Sequence, residues 1–353
     1  MSRNLSRSAA GWCAALLCCA PAALQAQPTV TPPAFGKAVG VSVDVSINKL
    51  FDVDTKSETF KLDGYLRARW KDRRLRFRPA AGEACQRLYE GPAASRVLGE
   101  TVWWPAFELI NVVGTSTVPY HRVYVDCDGS VEYYERFVGV FSSEMNLKRF
   151  PFDRQTLSIQ IESYPYDQGD MTFSKARLHH SRLDEDELFE WKILDSGAAI
   201  VRQEYPYRSD GKRMITFSRC VFSITMKRKS RYYVLHFLAP LGLILCSSWV
   251  LFWMPDFSSR MSTALKLLLT LVAFSFTASY LLPRLSYETF IDLAILSGHL
   301  VIFLEICLVC LAHVADLRGH GALGERVIAH CRWCFPVANL IGAALLARGT
   351  LGG

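Results

Sequence analysis

A lysine lies in the middle of a long apolar segment around residue 266, and its surroundings suggest a chemical role more directly than any other group. Polar and small side chains recur with it every three or four residues, so one face of a helix would carry them all. The members of this stripe are Ser259, Ser262, Thr263, Lys266, Thr270, Ala273, Phe276, Thr277 and Tyr280. Because a lysine at the centre of a membrane costs about 3 kcal/mol, it should face water or a partner. One helix cannot enclose water, so the stripe predicts a pore built by several copies around an axis.

Two acidic residues offer Lys266 a different environment. Asp292 and Glu305 both lie in the next apolar segment. A buried ion pair inside one helical bundle is therefore the competing interpretation of this lysine. The pattern favours the pore and leaves the pair open.

The sequence lacks the patterns of common enzymes, among them GxSxG, HExxH and a Walker loop. We therefore predict no catalytic residue and no cofactor. His179 and His180, followed by an acidic run from Asp184 to Glu187, could suggest a metal site, as could the CxxC spacing of Cys331 and Cys334. For the histidines a solvated acidic loop is the favoured interpretation. For the cysteines plain packing is favoured, because the sequence has no second ligand pair. No metal is predicted.

The formal net charge of +7 is modest and spread along the chain. The only dense basic run is Lys227, Arg228, Lys229 and Arg231, just before an apolar segment. Such a run suits phospholipid head groups, so we predict membrane lipid rather than nucleic acid as its partner.

Of the 353 residues, 50% are hydrophobic and 21% are charged, and the two kinds are concentrated in different parts of the chain. Residues 1–26 have the basic start and short apolar stretch of a secretory signal. Residues 27–231 read as a polar exported domain, and residues 232–353 read as membrane. The predicted spans are 232–254, 261–282, 290–314 and 327–347, each long enough to cross. This organisation excludes a purely soluble enzyme and predicts a multi-pass membrane protein with an exported domain, which in a bacterium means the inner membrane and the periplasm.

The exported domain alternates like β-strands. Val39, Val41 and Val43 begin one such run, and Cys220, Phe222 and further alternate residues form another. Several short strands separated by turn residues predict an all-β, immunoglobulin-like sandwich. The domain keeps three cysteines, Cys85, Cys127 and Cys220, so it can form one disulfide at most, with the pairing left open.

Several motifs together resemble one known family. The stretch Phe150-Pro151-Phe152-Asp153-Arg154-Gln155 is similar to the signature loop of the pentameric ligand-gated ion channels, or Cys-loop receptors. The loop cysteines of animal members fall on Ser143 and Leu157 here, as in bacterial members. Further similar stretches, which most resemble an amine-gated bacterial member, are Trp104-Pro105-Ala106, Ile110 to Gly114, Pro240 to Leu243, Leu282 to Leu285, and Ile291-Asp292. The resemblance covers nearly the whole chain after the signal.

The resemblance implies a homopentamer with an exported β-sandwich and a transmembrane domain of four α-helices. It also implies a small-molecule agonist, with a primary amine as the candidate, bound between neighbouring exported domains. The implied site is an aromatic box with one carboxylate, composed of Glu162, Tyr164, Tyr205 and Phe217 from one subunit and Tyr65 from its neighbour. Aromatic faces attract a cation by about 0.5–2 kcal/mol each. One aromatic of the box falls on Ser46 here, and plain core packing is the alternative for each ring.

The family pattern assigns the stripe to the pore that passes inorganic ions. The implied pore-lining residues are Ser259, Ser262, Lys266, Leu269, Ala273, Phe276 and Tyr280. Leu269 and Phe276 are the expected hydrophobic constrictions. Ser259 replaces the glutamate of cation-selective members and Lys266 replaces a threonine, so we predict an anion-preferring or poorly conducting pore.

Coupling between the domains should run through one junction. The implied residues are Phe150, Pro151, Asp153, Arg228, Pro283 and Arg284. A pair between Asp153 and Arg228 could hold two arrangements of the junction, and an unimportant surface salt bridge is the alternative. Ion conduction is the leading function. A membrane sensor of the same fold that passes no ions is the alternative, and an enzyme is not expected.

Overall fold

The computed structural model describes residues 31–33, 36–179, 188–206, 214–281 and 285–351. Several predictions fall elsewhere. The signal at 1–26, the acidic loop from His180 to Glu187, and the junction residues Pro283 and Arg284 lie outside the described residues.

The exported domain is a sandwich of two sheets. Its strands are β1 Val39–Asp54, β2 Thr59–Lys71, β3 Gln86–Glu90, β4 Phe107–Leu109, β5 Thr117–Asp126, β6 Ser130–Ser142, β7 Arg154–Ser163, β8 Met171–His179, β9 Trp191–Pro206 and β10 Met214–Arg228. Within the described residues, one sheet has the order β3-β5-β6-β2-β1-β8 and the other has the order β4-β7-β10-β9. All pairings are antiparallel except that of β1 with β8. A short helix, α1 Pro92–Glu100, follows β3.

The core between the sheets follows the alternation of the sequence. Val41 and Val43 on β1 and Phe222 on β10 are fully buried, whereas the residues between them are less so. Trp103 and Phe137 fill the same core. Period-two alternation places one face of each strand inward, and the predicted sandwich is confirmed.

The membrane domain consists of four apolar helical segments in the described residues. The first span is Arg231–Trp253, the second Phe257–Leu281, the third Phe290–Leu317 and the fourth Gly321–Leu351. The first contains a π-helical turn at Val234–Leu238. Pro240, two residues after this turn, has no N–H to complete the regular helical ladder.

Three of the predicted spans are shorter than the helices at one or both ends, and at the second span the cause is a capping side chain. The second span starts at Phe257 instead of 261, since the Asp256 carboxylate accepts the Ser259 backbone N–H at 2.9 Å. The third runs on to Leu317 and the fourth begins at Gly321, which shortens their connection. The third begins, as predicted, at Phe290, where Thr289 and Asp292 form a reciprocal capping box.

A disulfide joins Cys85 to Cys127, 42 residues apart. It lies where β3 begins and β5 has just ended, so it ties the segment carrying α1 to the sheet edge. Cys220 is a free thiol in the core, where burial raises its pKa. One disulfide and one leftover thiol agree with the cysteine count of the sequence.

Breaking this disulfide should destabilise the exported domain. Because a cross-link over such a loop restricts the unfolded chain, Cys85→Ser should lower the free energy of unfolding by up to about 4 kcal/mol. The melting temperature of the detergent-solubilised full chain would show it. Cys334→Ser, at an exposed free cysteine, is the control. Equal melting of the two variants would contradict the prediction.

Candidate ligand site, domain junction and pore

Four of the five predicted ligand residues lie together on the outer face of the four-stranded sheet. Glu162 on β7 faces Arg219 on β10, and Tyr205 on β9 pairs with Ile215, two residues before Phe217. The rings of Tyr205 and Phe217 meet edge to face with centroids 5.7 Å apart. The fourth member, Tyr164, follows β7 with its side chain exposed. Two aromatic rings therefore pack beside one carboxylate, and the exposed Tyr164 follows two positions after that carboxylate in the chain.

The carboxylate of this cluster is already engaged. Glu162 is 4% exposed and forms a salt bridge with Arg219, a residue that the sequence did not single out. Its other oxygen accepts the Tyr205 hydroxyl at 3.2 Å. Burial and the neighbouring Glu162 raise the pKa of Tyr205, so its phenol stays protonated and can donate. Only the strand register reveals the contact, since Arg219 and Glu162 are 57 positions apart.

Tyr65 lies in the other sheet, on β2, where it pairs with Ser46 on β1. It is 44% exposed. The sandwich core separates it from Tyr205 and Phe217, so a single chain does not bring the predicted box together. The prediction assigns Tyr65 to the box from a neighbouring copy, and its place on the other sheet agrees with that assignment.

At the base of the sandwich, Asp153 and Arg228 form a buried ion pair. The Arg228 Nε and Nη2 atoms donate to the two Asp153 carboxylate oxygens at 2.8 and 3.1 Å, and both side chains are 1% exposed. The guanidinium lies 4.2 Å from the Trp191 ring centroid and 4.8 Å from that of Phe150. Glu190 accepts a further bond at 3.2 Å. Because the pair is buried, the alternative of an unimportant surface salt bridge is wrong. The sequence did not predict that Trp191 and Glu190 contact Arg228.

The loop around Phe150 connects the sandwich to the helices. Phe150 is buried against Tyr233 of the first span, at 4.6 Å between ring centroids, and the bond to Pro151 is cis. Phe152 contacts Phe290 at the start of the third span, at 5.7 Å. The Phe290 backbone N–H donates to the Lys148 carbonyl at 3.0 Å. The ends of the sandwich strands are therefore joined to the first and third spans by direct contacts.

The predicted stripe of the second span lies on its exposed face. All seven predicted pore residues are exposed in the single chain, whereas Ala264, Leu271 and Ala278 on the opposite face are buried. A Cβ at Gly298 would lie 3.3 Å from Leu271 Cδ2 and 3.4 Å from Leu241 Cδ1, so the glycine lets three spans approach closely. This packing turns the stripe away from the other spans.

Lys266 has no acidic partner among the described residues, and the buried-pair alternative is wrong. Asp292 caps the third span through Thr289. Glu305 is fully buried and accepts a bond from Ser248 of the first span at 2.9 Å. Neither of these carboxylates of the third span therefore pairs with Lys266 on the exposed face of the second span.

Comparison with known proteins agrees with this geometry. Residues 25–230, more than half of the chain, match the neurotransmitter-gated ion-channel ligand binding domain, and the chain belongs to this family. A proton-gated ion channel of Gloeobacter violaceus is 26% identical over 316 residues, which cover 90% of this chain and 84% of that protein. The gamma-aminobutyric acid receptor subunit rho-2 of Bos taurus is 25% identical, over 79% of this chain and 59% of its own length. The neuronal acetylcholine receptor subunit alpha-4 of Mustela putorius furo is 24% identical, over 70% and 38% respectively.

Membership of this family confirms the predicted class and placement. The chain is a bacterial pentameric ligand-gated channel by class, with a sandwich domain on the periplasmic side and four spans in the inner membrane. The family consists of ion channels rather than enzymes, and a homopentamer fits it. The chain spans 84% of its bacterial relative but 59% and 38% of the two animal ones. The specific likeness to an amine-gated member stays a prediction.

Proposed function

We propose that five copies of this chain form an ion channel that a small-molecule amine opens from the periplasmic side. The ligand binds between neighbouring exported domains, at Glu162, Tyr164, Tyr205 and Phe217 of one subunit and Tyr65 of the next. The second spans line the pore, and inorganic ions pass along it with a preference for anions. Nucleic acid, cofactors and catalysis have no part in this function.

One observation carries the proposal: the second span presents an exposed stripe, and its mid-membrane lysine has no acidic partner in the part of the chain that the structure describes. Contact with water would then offset the cost of placing the lysine charge inside the membrane. A ring of these helices around a central pore provides that contact. The aromatic cluster on the outer sheet supports an amine as ligand, because ring faces attract cations. The contacts of Phe150 and Phe152 with the first and third spans provide the route between the two sites.

Currents across a planar bilayer test the proposal directly. The purified full chain is reconstituted under a salt gradient, and a primary amine is applied as a concentration jump. An evoked current supports the channel and the amine, and the sign of its reversal potential gives the selectivity. Absence of current with every amine tried, from protein that is pentameric by mass, would count against amine gating.

Removing one ring of the cluster should weaken the response. Tyr205→Ala takes away a cation-attracting face and the hydroxyl that contacts Glu162, so the half-maximal amine concentration should rise at least tenfold. Tyr205→Phe keeps the ring and should fall between this variant and the parent. An unchanged half-maximal concentration in Tyr205→Ala would place the amine elsewhere.

The alternative function is a membrane sensor that passes no ions. Lys266 is the observation that favours it, since five lysines around one axis could close the pore to conduction. Replacement of this lysine separates the two functions.

A further inference from the structure

The candidate ligand cluster contains a cation of its own. Arg219 lies between the predicted residues on the outer face of β10, and its side chain is 13% exposed. Its Nε donates to Glu162, its Nη2 donates to Tyr205, and its Nη1 donates to Gln160 at 2.7 Å. A guanidinium that makes two such bonds to β7 and one to the Tyr205 hydroxyl on β9 is held in place.

This arrangement changes the charge that a ligand meets. Glu162 is the sole acidic residue of the predicted box, and Arg219 cancels its charge. A simple primary amine would bring a second cation next to the guanidinium in a partly desolvated site, where like charges repel more strongly than in water. The rings of Tyr205 and Phe217 still attract an ammonium, but the carboxylate no longer offers it a free counter-charge.

A ligand with both charges fits the cluster better. A guanidinium has five N–H groups in a planar fork, and three bonds to Glu162, Tyr205 and Gln160 leave at most two for a ligand carboxylate. We propose that Arg219 determines the ligand class of this site, and that the ligand is an amino carboxylate, with its ammonium at the rings and its carboxylate at Arg219. This inference rests on the proposed ligand site and specifies which amines it accepts.

Two probes that differ in one group test the inference. Propylamine and 3-aminopropanoate have the same chain length, and the second carries a carboxylate where the first has a methyl. Calorimetric titration of the detergent-solubilised full-length protein should show at least tenfold tighter binding of 3-aminopropanoate. In Arg219→Gln, which frees Glu162 and removes the carboxylate partner, the order should reverse, with propylamine at least tenfold tighter.

Such a reversal in the order of the two affinities distinguishes a change of specificity from a misfolded site, because a misfolded site would bind neither probe. Arg202→Gln provides the matched control, since Arg202 is an exposed arginine on the neighbouring strand β9 and should keep the parental order. Equal or tighter binding of propylamine by the parent would overturn the inference while the amine site survives. An unchanged order in Arg219→Gln would overturn it as well. Failure of both probes to bind the parent would overturn the inference and the proposed amine ligand together.

Discussion

Arg228→Met should melt about 6–20 °C below the parent and give no ligand-evoked current. The substitution leaves the Asp153 carboxylate 1% exposed without its counter-charge. Breaking a buried pair from one side costs about 3–5 kcal/mol, and each kcal/mol shifts the melting temperature of a domain this size by about 2–4 °C. The remaining bond to Asp153, from the Gln155 side-chain amide at 2.7 Å, cannot replace an ion pair.

The double variant Asp153→Asn with Arg228→Met separates stability from gating. With both charges gone, most of the lost stability should return, because a neutral amide is far cheaper to bury than an unpaired carboxylate. Current should stay impaired if the charged pair holds the two arrangements of the junction. Lys227→Met, at an exposed basic residue on the same strand, is the control. Equal melting of Arg228→Met and Lys227→Met would contradict the buried-pair account.

The sequence predicts those features that repeat along one element. Alternation marks the inward faces of β1 and β10, and the helical period marks the stripe around Lys266; the structure shows both patterns. These features are predictable because a strand or a helix places side chains by its own geometry. The family motifs add the positions of Glu162 and Asp153.

What the sequence could not give depends on which elements meet. The contact of Arg219 with Glu162 requires the register of β10 against β7, which no local pattern encodes. The burial of Arg228 depends on Trp191, which arrives from the start of β9. Span ends depend on single capping side chains such as that of Asp256, which hydropathy does not detect. The sequence therefore predicts a set of candidate site residues, but it does not predict that Arg219 neutralises the charge of Glu162.

Lys266→Thr should produce the largest functional change, a loss of anion preference. In the proposed pentamer, five lysines surround the axis at one level. In water at about 5 Å, each would repel a permeating cation by about 0.8 kcal/mol, so five would cost about 4 kcal/mol. Removing them should lower the ratio of anion to cation permeability at least tenfold and shift the reversal potential toward that of the cation.

The same recording decides between an ion channel and a sensor that passes no ions. A parent that passes anions and a variant that passes cations would establish Lys266 as the selectivity determinant. A silent parent beside a conducting Lys266→Thr would support the sensor that passes no ions, because the lysine ring alone would then close the pore. Ser262→Thr is the matched control: Ser262 lies one turn away on the same exposed face, and its replacement adds no charge. If the parent is cation-selective and Lys266→Thr leaves its reversal potential unchanged, the lysine does not face the permeating ion, and the stripe has another role.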